Sequence, residues 1–217
     1  MGIIKNEIPI LEFDSEQTAV ISPVHENLNL NLPKKCVFAF LGNYIDEYAN
    51  SSDTKQVSTF ISATKNYPIY ITKYKGEEIV LCQAPVGAAA AAQILDWLIG
   101  YGVCEIISAG SCGALEHFEE STFLVPSKAL RDEGTSYHYA PPSRFMEINE
   151  RAQHEISRGY YMVYRRLFPR DKRKSRISQK RRLFCCGNGM LGTFGVCSFQ
   201  KSNMGNDTVY GRQSCRC

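Results

Sequence analysis

The sequence predicts an α/β fold, because strand-like and helix-like segments alternate along it. Two short apolar runs, "TAVISP" (18–23) and "KCVFAFLG" (35–42), each end at a proline or glycine, as strands often do. A segment of strong helix formers, "GAAAAAQILDWLIGYG" (87–102), is followed by another apolar run, "CEIISAGSCGAL" (104–115). A strand, a helix and a strand at this spacing predict a parallel crossover within one sheet.

Two further segments extend the predicted sheet. The stretch "YPIYITKYKGEEIVLCQ" (67–83) contains two strand-like runs around the turn signal Lys75-Gly76. The run "TFLVPSKAL" (122–130) reads as one more strand after the crossover.

Charge divides the chain into two parts near Ser157. Residues 1–157 contain 11 Lys and Arg against 20 Asp and Glu, whereas residues 158–217 contain 14 against 2. We therefore expect an α/β domain over 1–157 and a basic, cysteine-rich tail over 158–217 that buries too little apolar surface to be ordered. No window approaches the ~18 apolar residues that span a bilayer and no export signal is visible, so we expect a cytoplasmic protein with reduced thiols.

Candidate ligand-binding residues follow the predicted strands. Gly87 lies where a strand passes into the alanine-rich helix, and Gly110 and Ser111 end the next strand. Glycines allow backbone N–H groups to turn toward an anion, and a serine hydroxyl adds a donor. Tight turns that merely need small residues explain these positions equally well at this point.

The stretch "VPSKALRDEGTSYHYAPPS" (125–143) is more specific. It places Arg131, Glu133 and His138 in a polar segment that closes on two prolines. This pattern is typical of a ligand-binding segment, and a surface loop held by arginine–carboxylate pairs is the alternative, since conspicuous polar loops often have no other role.

These segments together resemble the purine and uridine nucleoside phosphorylase family over about residues 8 to 156. The resemblance implies a three-layer α/β fold with a mixed central sheet, dimers that build hexamers, and phosphorolysis of a nucleoside to a free base and a pentose 1-phosphate. It also implies that Gly87, Gly110 and Ser111 bind phosphate and that Arg131, Glu133 and His138 line the substrate pocket. Inorganic phosphate is the expected co-substrate, with no cofactor or metal.

Departures from the family pattern keep a second reaction open. Where the resemblance implies a phosphate-binding arginine before the glycine turn, this chain has Ser108. Where it implies a glycine and an arginine after the first strand, the chain has Pro23 and Asn27. A nucleosidase, in which water replaces phosphate, is therefore the near alternative.

The basic tail is best explained as an out-of-frame reading of the family's C-terminal part, which leaves the catalytic residues unknown. Read one nucleotide later, the codons of Met162 and Val163 give tryptophan without any choice, and the surrounding codons permit "TTWSTDGFFRETKE". Met190 and Leu191 likewise force a cysteine within "EMEC", and both strings resemble the family. This reading predicts that the chain is inactive as written. A basic arm that binds nucleic acid through phosphate contacts is the alternative, although it does not explain the forced residues.

Overall fold

The structure is a computed structural model in which the chain forms two compact units. The first unit contains the described residues of Gln17–Val86 and Ala90–Ser111, and the second contains those of Met1–Glu16, Gly87–Ala89 and Cys112–Phe199. The residues that the structure describes are 3–14, 19–51, 53–111, 113–114, 125–131, 133–143, 145–147, 158–163 and 185–187.

A mixed five-stranded sheet forms the centre of the first unit. Its strands are β1 (Lys35–Phe40), β2 (Thr54–Ile61), β3 (Asn66–Tyr74), β4 (Glu77–Gln83) and β5 (Glu105–Gly110). Their order across the sheet is β2-β3-β4-β1-β5. β1 runs parallel to β4 and β5, whereas β3 is antiparallel to β2 and β4. The predicted parallel crossover from β4 to β5 therefore spans β1, which lies between them.

One helix covers each face of this sheet. The helix α1 (Tyr44–Ser51) packs Ile45 and Ala49 into a buried cluster with Tyr70 of β3 and Leu81 of β4. Ile45 and Ala49 are therefore the residues through which this short helix packs against the sheet.

The second helix, α2 (Ala88–Gly100), lies on the opposite face. Its Trp97 meets Phe60 of β2 edge-to-face, with 5.9 Å between ring centroids. Phe60 pairs with Tyr67, and Tyr67 and Tyr70 are an odd number of residues apart on β3, so they point to opposite faces. The predicted three-layer arrangement with a mixed central sheet is confirmed.

Two turns depend on backbone conformations that favour glycine. Lys75 and Gly76 join β3 to β4 with φ values of 50° and 83°, a two-residue turn of type I′ that matches the twist of the hairpin. Gly102 ends α2 with φ 120° and donates its N–H to Ile99 O at 3.1 Å. A Cβ there would lie 2.9 Å from the carbonyl oxygen of Leu32, so glycine is needed for space as well.

A second five-stranded sheet belongs to the second unit. Its strands are β6 (Gly113–Ala114), β7 (Val125–Leu130), β8 (Phe145–Glu147), β9 (Arg158–Val163) and β10 (Cys185–Gly187), in the order β6-β10-β9-β7-β8. β9 is parallel to β7 and to β10, and the outer pairs are antiparallel. The strand predicted at 122–130 is therefore found from Val125 onward, and residues 122–124 lie outside the described residues.

The strand predicted in "TAVISP" is wrong. Residues 19–23 form no strand, and Val20 and Ile21 are exposed. The carbonyl oxygen of Ser22 accepts the N–H of His25 at 3.0 Å, and its hydroxyl accepts the N–H of Val24. Serine followed by proline thus starts a turn, which overrides the β-propensity of the apolar residues before it.

Two short segments of the basic tail form strands, and the disorder predicted for the tail stays a prediction. Arg158–Val163 and Cys185–Gly187 form β9 and β10, and the rest of 158–217 lies outside the described residues. The sequence "RGYYMV" is rich in residues of high β-propensity, and hydrogen bonding to β7 compensates the backbone polar groups that a strand exposes. Within the described part of the chain, no helix is long and apolar enough to cross a membrane.

Candidate functional site

Three parallel strands end side by side in the first unit. Ala39 pairs with Gln83 at the end of β4, and Phe40 pairs with Gly110 at the end of β5. In open α/β sheets, ligands bind beyond such carboxyl ends, where loops expose backbone amides. Phe40, Gln83 and Gly110, with the residues of this unit that follow them, are called the carboxyl edge here.

Gly110 and Ser111 lie at the carboxyl edge, as the sequence predicts. A Cβ on Gly110 would lie 3.0 Å from the Cβ of Phe40, so the close approach of β5 to β1 favours glycine. The side chain of Ser111 is exposed. Packing accounts for Gly110 by itself, and the role of both residues in phosphate binding stays a prediction.

Gly87 belongs to the second unit and precedes α2 directly. Its φ is 116°, in the region that favours glycine, and nothing lies within 4 Å of a Cβ placed on it. Conformation and not crowding therefore selects glycine at this turn. The phosphate cradle expected from Gly87, Gly110 and Ser111 draws on both units and stays a prediction.

Lys65 supplies a cation at the carboxyl edge that the sequence did not reveal. It precedes β3, and its Nζ donates a hydrogen bond to Oε1 of Gln83, which is buried. The same ammonium lies 5.3 Å from the centroid of the Tyr67 ring. Because Lys65 reaches the end of β4 from the β2–β3 loop, only the antiparallel pairing of β3 with β4 brings it there.

The structure corrects the placement of the missing glycine and arginine. β1 is the first strand among the described residues, so the positions after it follow Phe40 and are not Pro23 and Asn27. A glycine is present there as Gly42, with φ 59°. Asp46, which follows in α1, accepts a hydrogen bond from the Tyr70 hydroxyl at 3.1 Å.

Ser108 brings a polar group into β5 without an evident partner. Its Oγ is buried, and among the described residues no hydrogen bond to it is found. A buried hydroxyl without a partner costs about 1–3 kcal/mol, so such a group often marks a functional contact.

In the second unit, Arg131 is the centre of a loop that follows β7. Residues 131 and 133–143 are called the Arg131 loop. Arg131 is 4% exposed, and its guanidinium donates five hydrogen bonds, all within this loop. The acceptors are Ser136 Oγ (3.1 Å), Ser136 O (2.7 Å), Ala140 O (2.8 Å), Pro141 O (2.5 Å) and Ser143 Oγ (3.0 Å).

The other polar groups of the Arg131 loop also bond within it. Glu133 accepts the N–H of Thr135 at 2.7 Å and the N–H of Ser136 at 3.0 Å, and so caps the 3-10 helix Thr135–His138. The Tyr137 hydroxyl donates to the carbonyl oxygen of Arg131, and its ring lies 4.3 Å from the guanidinium carbon. Burial lowers the pKa of Arg131 below its ordinary value, while Tyr137 and Glu133 act in the opposite direction.

The three residues expected in the substrate pocket therefore differ in their surroundings. Arg131 and Glu133 are buried and bonded inside the loop, whereas His138, the last residue of the 3-10 helix, is exposed. The structure brings all three into one loop, and their contact with a substrate stays a prediction. No group of three or more His, Cys, Asp or Glu side chains suited to a metal ion is found in the described part of the chain.

Comparison with known proteins identifies a family. The sequence profile described as the phosphorylase superfamily matches residues 34–191, from the residue before β1 to beyond β10. This match begins later and ends later than the resemblance placed at residues 8–156.

Two curated relatives match shorter segments. Guanosine phosphorylase of Halorubrum lacusprofundi is 28% identical over 96 residues, which cover 44% of this chain and 39% of that protein. Uridine phosphorylase of Haemophilus influenzae is 25% identical over 83 residues, covering 38% of this chain and 33% of that protein. The aligned regions thus span 39% and 33% of the length of these relatives.

Solved structures share the fold. Uridine phosphorylase of Vibrio fischeri superposes with a TM-score of 0.65 at 15% identity, covering 79% of this chain and 77% of that one. Purine nucleoside phosphorylase of Toxoplasma gondii, in complex with immucillin-H, gives a TM-score of 0.64 at 14% identity, covering 78% and 73%.

Proposed function

The chain belongs to the phosphorylase superfamily, and from that premise we propose that it derives from a nucleoside phosphorylase of the cytoplasm. The reaction is attack of inorganic phosphate on the sugar of a purine or pyrimidine nucleoside, which gives a free base and a pentose 1-phosphate. The profile match over residues 34–191 carries this proposal. The names of the two curated relatives, a guanosine and a uridine phosphorylase, support it and leave the base open.

The carboxyl edge provides groups that could bind the phosphate of this reaction. Cleavage of an N-glycosidic bond develops positive charge on the sugar and negative charge on the leaving base, so a bound anion beneath the sugar stabilises the transition state. Lys65 brings an ammonium to the end of β4, and Ser111 has an exposed hydroxyl after β5. These two groups are proposed phosphate donors, together with the backbone of Gly110 and Gly87. No cofactor is required for this step.

A hydrolytic nucleosidase is the second candidate, and the charge of the edge favours it. Ser108 is an uncharged residue where the resemblance implies a phosphate-binding arginine. Fewer cations weaken the binding of phosphate relative to water. Lys65 is the observation that keeps phosphate as the first proposal.

We further propose that the chain as written is inactive because residues after about Ser157 are read out of frame. The forced tryptophan and cysteine of the shifted reading support this proposal. Two observations oppose it, since the superfamily profile continues to residue 191 and since β9 and β10 join the second sheet. We do not propose nucleic-acid binding by the tail, because charge alone is its basis.

Base release by a frame-restored protein tests the reaction. The restored protein is expected to release base from guanosine or uridine only when phosphate is present, with formation of pentose 1-phosphate. It is also expected to assemble into dimer-based hexamers, which size-exclusion chromatography with light scattering measures. Equal rates without phosphate would establish the nucleosidase instead, and no release from any nucleoside would reject both reactions.

A further inference from the structure

Every N–H donor of the Arg131 side chain is engaged inside the Arg131 loop. A guanidinium has five such donors, and the five hydrogen bonds to Ser136, Ala140, Pro141 and Ser143 use all of them. The group therefore has no donor left for a phosphate or a base unless the loop opens. The two bonds to Ser136 are buried, so water does not substitute for these two partners.

Ser136 connects the arginine to the carboxylate of the same loop. Its N–H donates to Glu133, and its hydroxyl and carbonyl oxygens accept from Arg131. Ser136 is 0% exposed, so these bonds are made away from water. The carbonyl oxygen of Ser136 also accepts the N–H groups of Tyr139 and Ala140, which fixes the backbone on both sides of His138.

His138 differs from its neighbours because its ring is exposed at the end of this bonded turn. An imidazole offers one donor and one acceptor in its neutral form, which matches the edge of a purine or pyrimidine base. A side chain on a backbone that is already fixed loses little entropy on binding. The buried polar groups of the loop thus hydrogen-bond within the loop, and the imidazole of His138 is exposed.

We propose that Arg131 and Glu133 are positioning residues that hold the loop in its shape without a ligand, and that His138 is the residue of this loop that contacts the nucleoside base. This inference rests on the proposed function for the class of ligand. The three pocket residues thus have two separate roles. Arg131 and Glu133 hold the turn in place, and His138 contacts the ligand directly.

Histidine footprinting on the full 217-residue chain tests the contact. Diethyl pyrocarbonate modifies accessible imidazoles, and mass spectrometry reports the rate at each histidine. With guanosine or uridine at saturating concentration, the rate at His138 is expected to fall severalfold, while inorganic phosphate alone leaves it unchanged. His25, exposed in the first unit, is the matched control and keeps its rate. An unchanged rate at His138, or an equal fall at both histidines, overturns the contact.

The positioning role is tested by Arg131→Met and Glu133→Gln. Each variant is expected to lose the protection of His138 by nucleoside and to speed amide hydrogen exchange at Ser136, Tyr139 and Ala140, while the far-ultraviolet circular dichroism stays native. Native exchange at these amides in Arg131→Met, or persistent protection of His138, overturns this role. Footprinting does not require turnover, so the two proposals can fail separately. If nucleoside protects His138 but the frame-restored protein releases no base, phosphorolysis alone is rejected. If the frame-restored protein releases base but nucleoside does not protect His138, this inference alone is rejected.

Discussion

The Arg131 guanidinium donates two hydrogen bonds to a single residue, Ser136, one to the hydroxyl at 3.1 Å and one to the carbonyl oxygen at 2.7 Å. Ser136 in turn donates its N–H to Glu133. Ser136 thereby links the Arg131 guanidinium and the Glu133 carboxylate within one turn. Because Ser136 is fully buried, each of these bonds carries the cost of an unsatisfied group if it is broken.

Ser136→Ala is expected to destabilise the chain. The substitution removes the acceptor of the Arg131 Nε–H and leaves that donor buried, which costs about 1–3 kcal/mol of unfolding free energy. Urea denaturation of the full chain measures it. Ser143→Ala is the matched control, since Ser143 accepts from the same guanidinium but is exposed, and a loss within about 0.5 kcal/mol is expected there. An equal loss of unfolding free energy in both variants would show that the buried bond to Ser136 contributes no more than the exposed bond to Ser143.

Gly102→Ala is expected to destabilise the first unit strongly. Its φ of 120° is unfavourable for alanine, and the new Cβ would lie 2.9 Å from the Leu32 carbonyl oxygen. The expected loss is at least about 2 kcal/mol. Gly42→Ala is the control with a positive φ and open space, where a loss of about 1 kcal/mol is expected. Thermal unfolding ranks the two variants. A Gly42 variant as unstable as the Gly102 variant would show that the close contact with the Leu32 carbonyl oxygen adds no cost.

Lys65→Met in the frame-restored protein is expected to raise the KM for phosphate. Loss of one hydrogen bond to a charged group weakens binding by about 1.5–3 kcal/mol, or roughly ten- to hundredfold. Steady-state kinetics with varied phosphate measures this. Lys73→Met, an exposed lysine toward the other end of β3, is the control and leaves the KM unchanged. An unchanged KM in Lys65→Met would remove Lys65 from the proposed phosphate site.

The stability of the chain is expected to fall in alkaline solution because of Tyr70. Burial, with the hydrogen bond to Asp46, raises the pKa of Tyr70 above its ordinary value of about 10. The folded state therefore holds the phenolic proton more tightly than the unfolded state, so this contribution is complete below pH ~10 and is lost as the pH rises further. Burial also raises the pKa of the Cys82 thiol, which acts in the same direction.

Denaturation between pH 8 and 11 measures the effect. Tyr70→Phe is expected to lose stability less steeply than the native chain over this range, and the remaining slope reflects Cys82. Tyr74→Phe, which alters an exposed tyrosine of the same strand, is expected to keep the native slope. A native slope in Tyr70→Phe would show that the pKa of Tyr70 is the same in the folded and unfolded states, which would contradict this prediction.

Local pattern determined the parts of the fold that the sequence could predict. The turn at Lys75-Gly76 and the helix that ends shortly before Gly102 follow from residues adjacent in the chain, and both are found. β2 escaped prediction because "TKQVSTFI" is mostly polar at the edge of the sheet, where pairing with β3 and not burial holds it. The strand in "TAVISP" failed because the turn at Ser22 overrides its apolar residues.

The sequence shows that the candidate site residues stand together in one loop, but it does not reveal their contacts. Arg131, Glu133 and His138 stand together in the sequence and in the structure, yet nothing in the sequence indicates that Arg131 uses all its donors within the loop. Lys65 was missed because the end of β4 that it meets lies beyond the whole of β3 along the chain. Long-range strand pairing decides such contacts, and residue spacing does not reveal it.

The reading frame of the gene across the codons from Ser157 to Met162 tests the account most directly, since the proposed loss of activity depends on it. Sequencing of genomic DNA and of the transcript is expected to show that adding or removing one base restores an open frame that encodes tryptophan at Met162 and continues past Cys217. An alternative frame that stops soon after this junction would contradict the proposal. The basic tail, with β9 and β10, would then be part of the evolved protein.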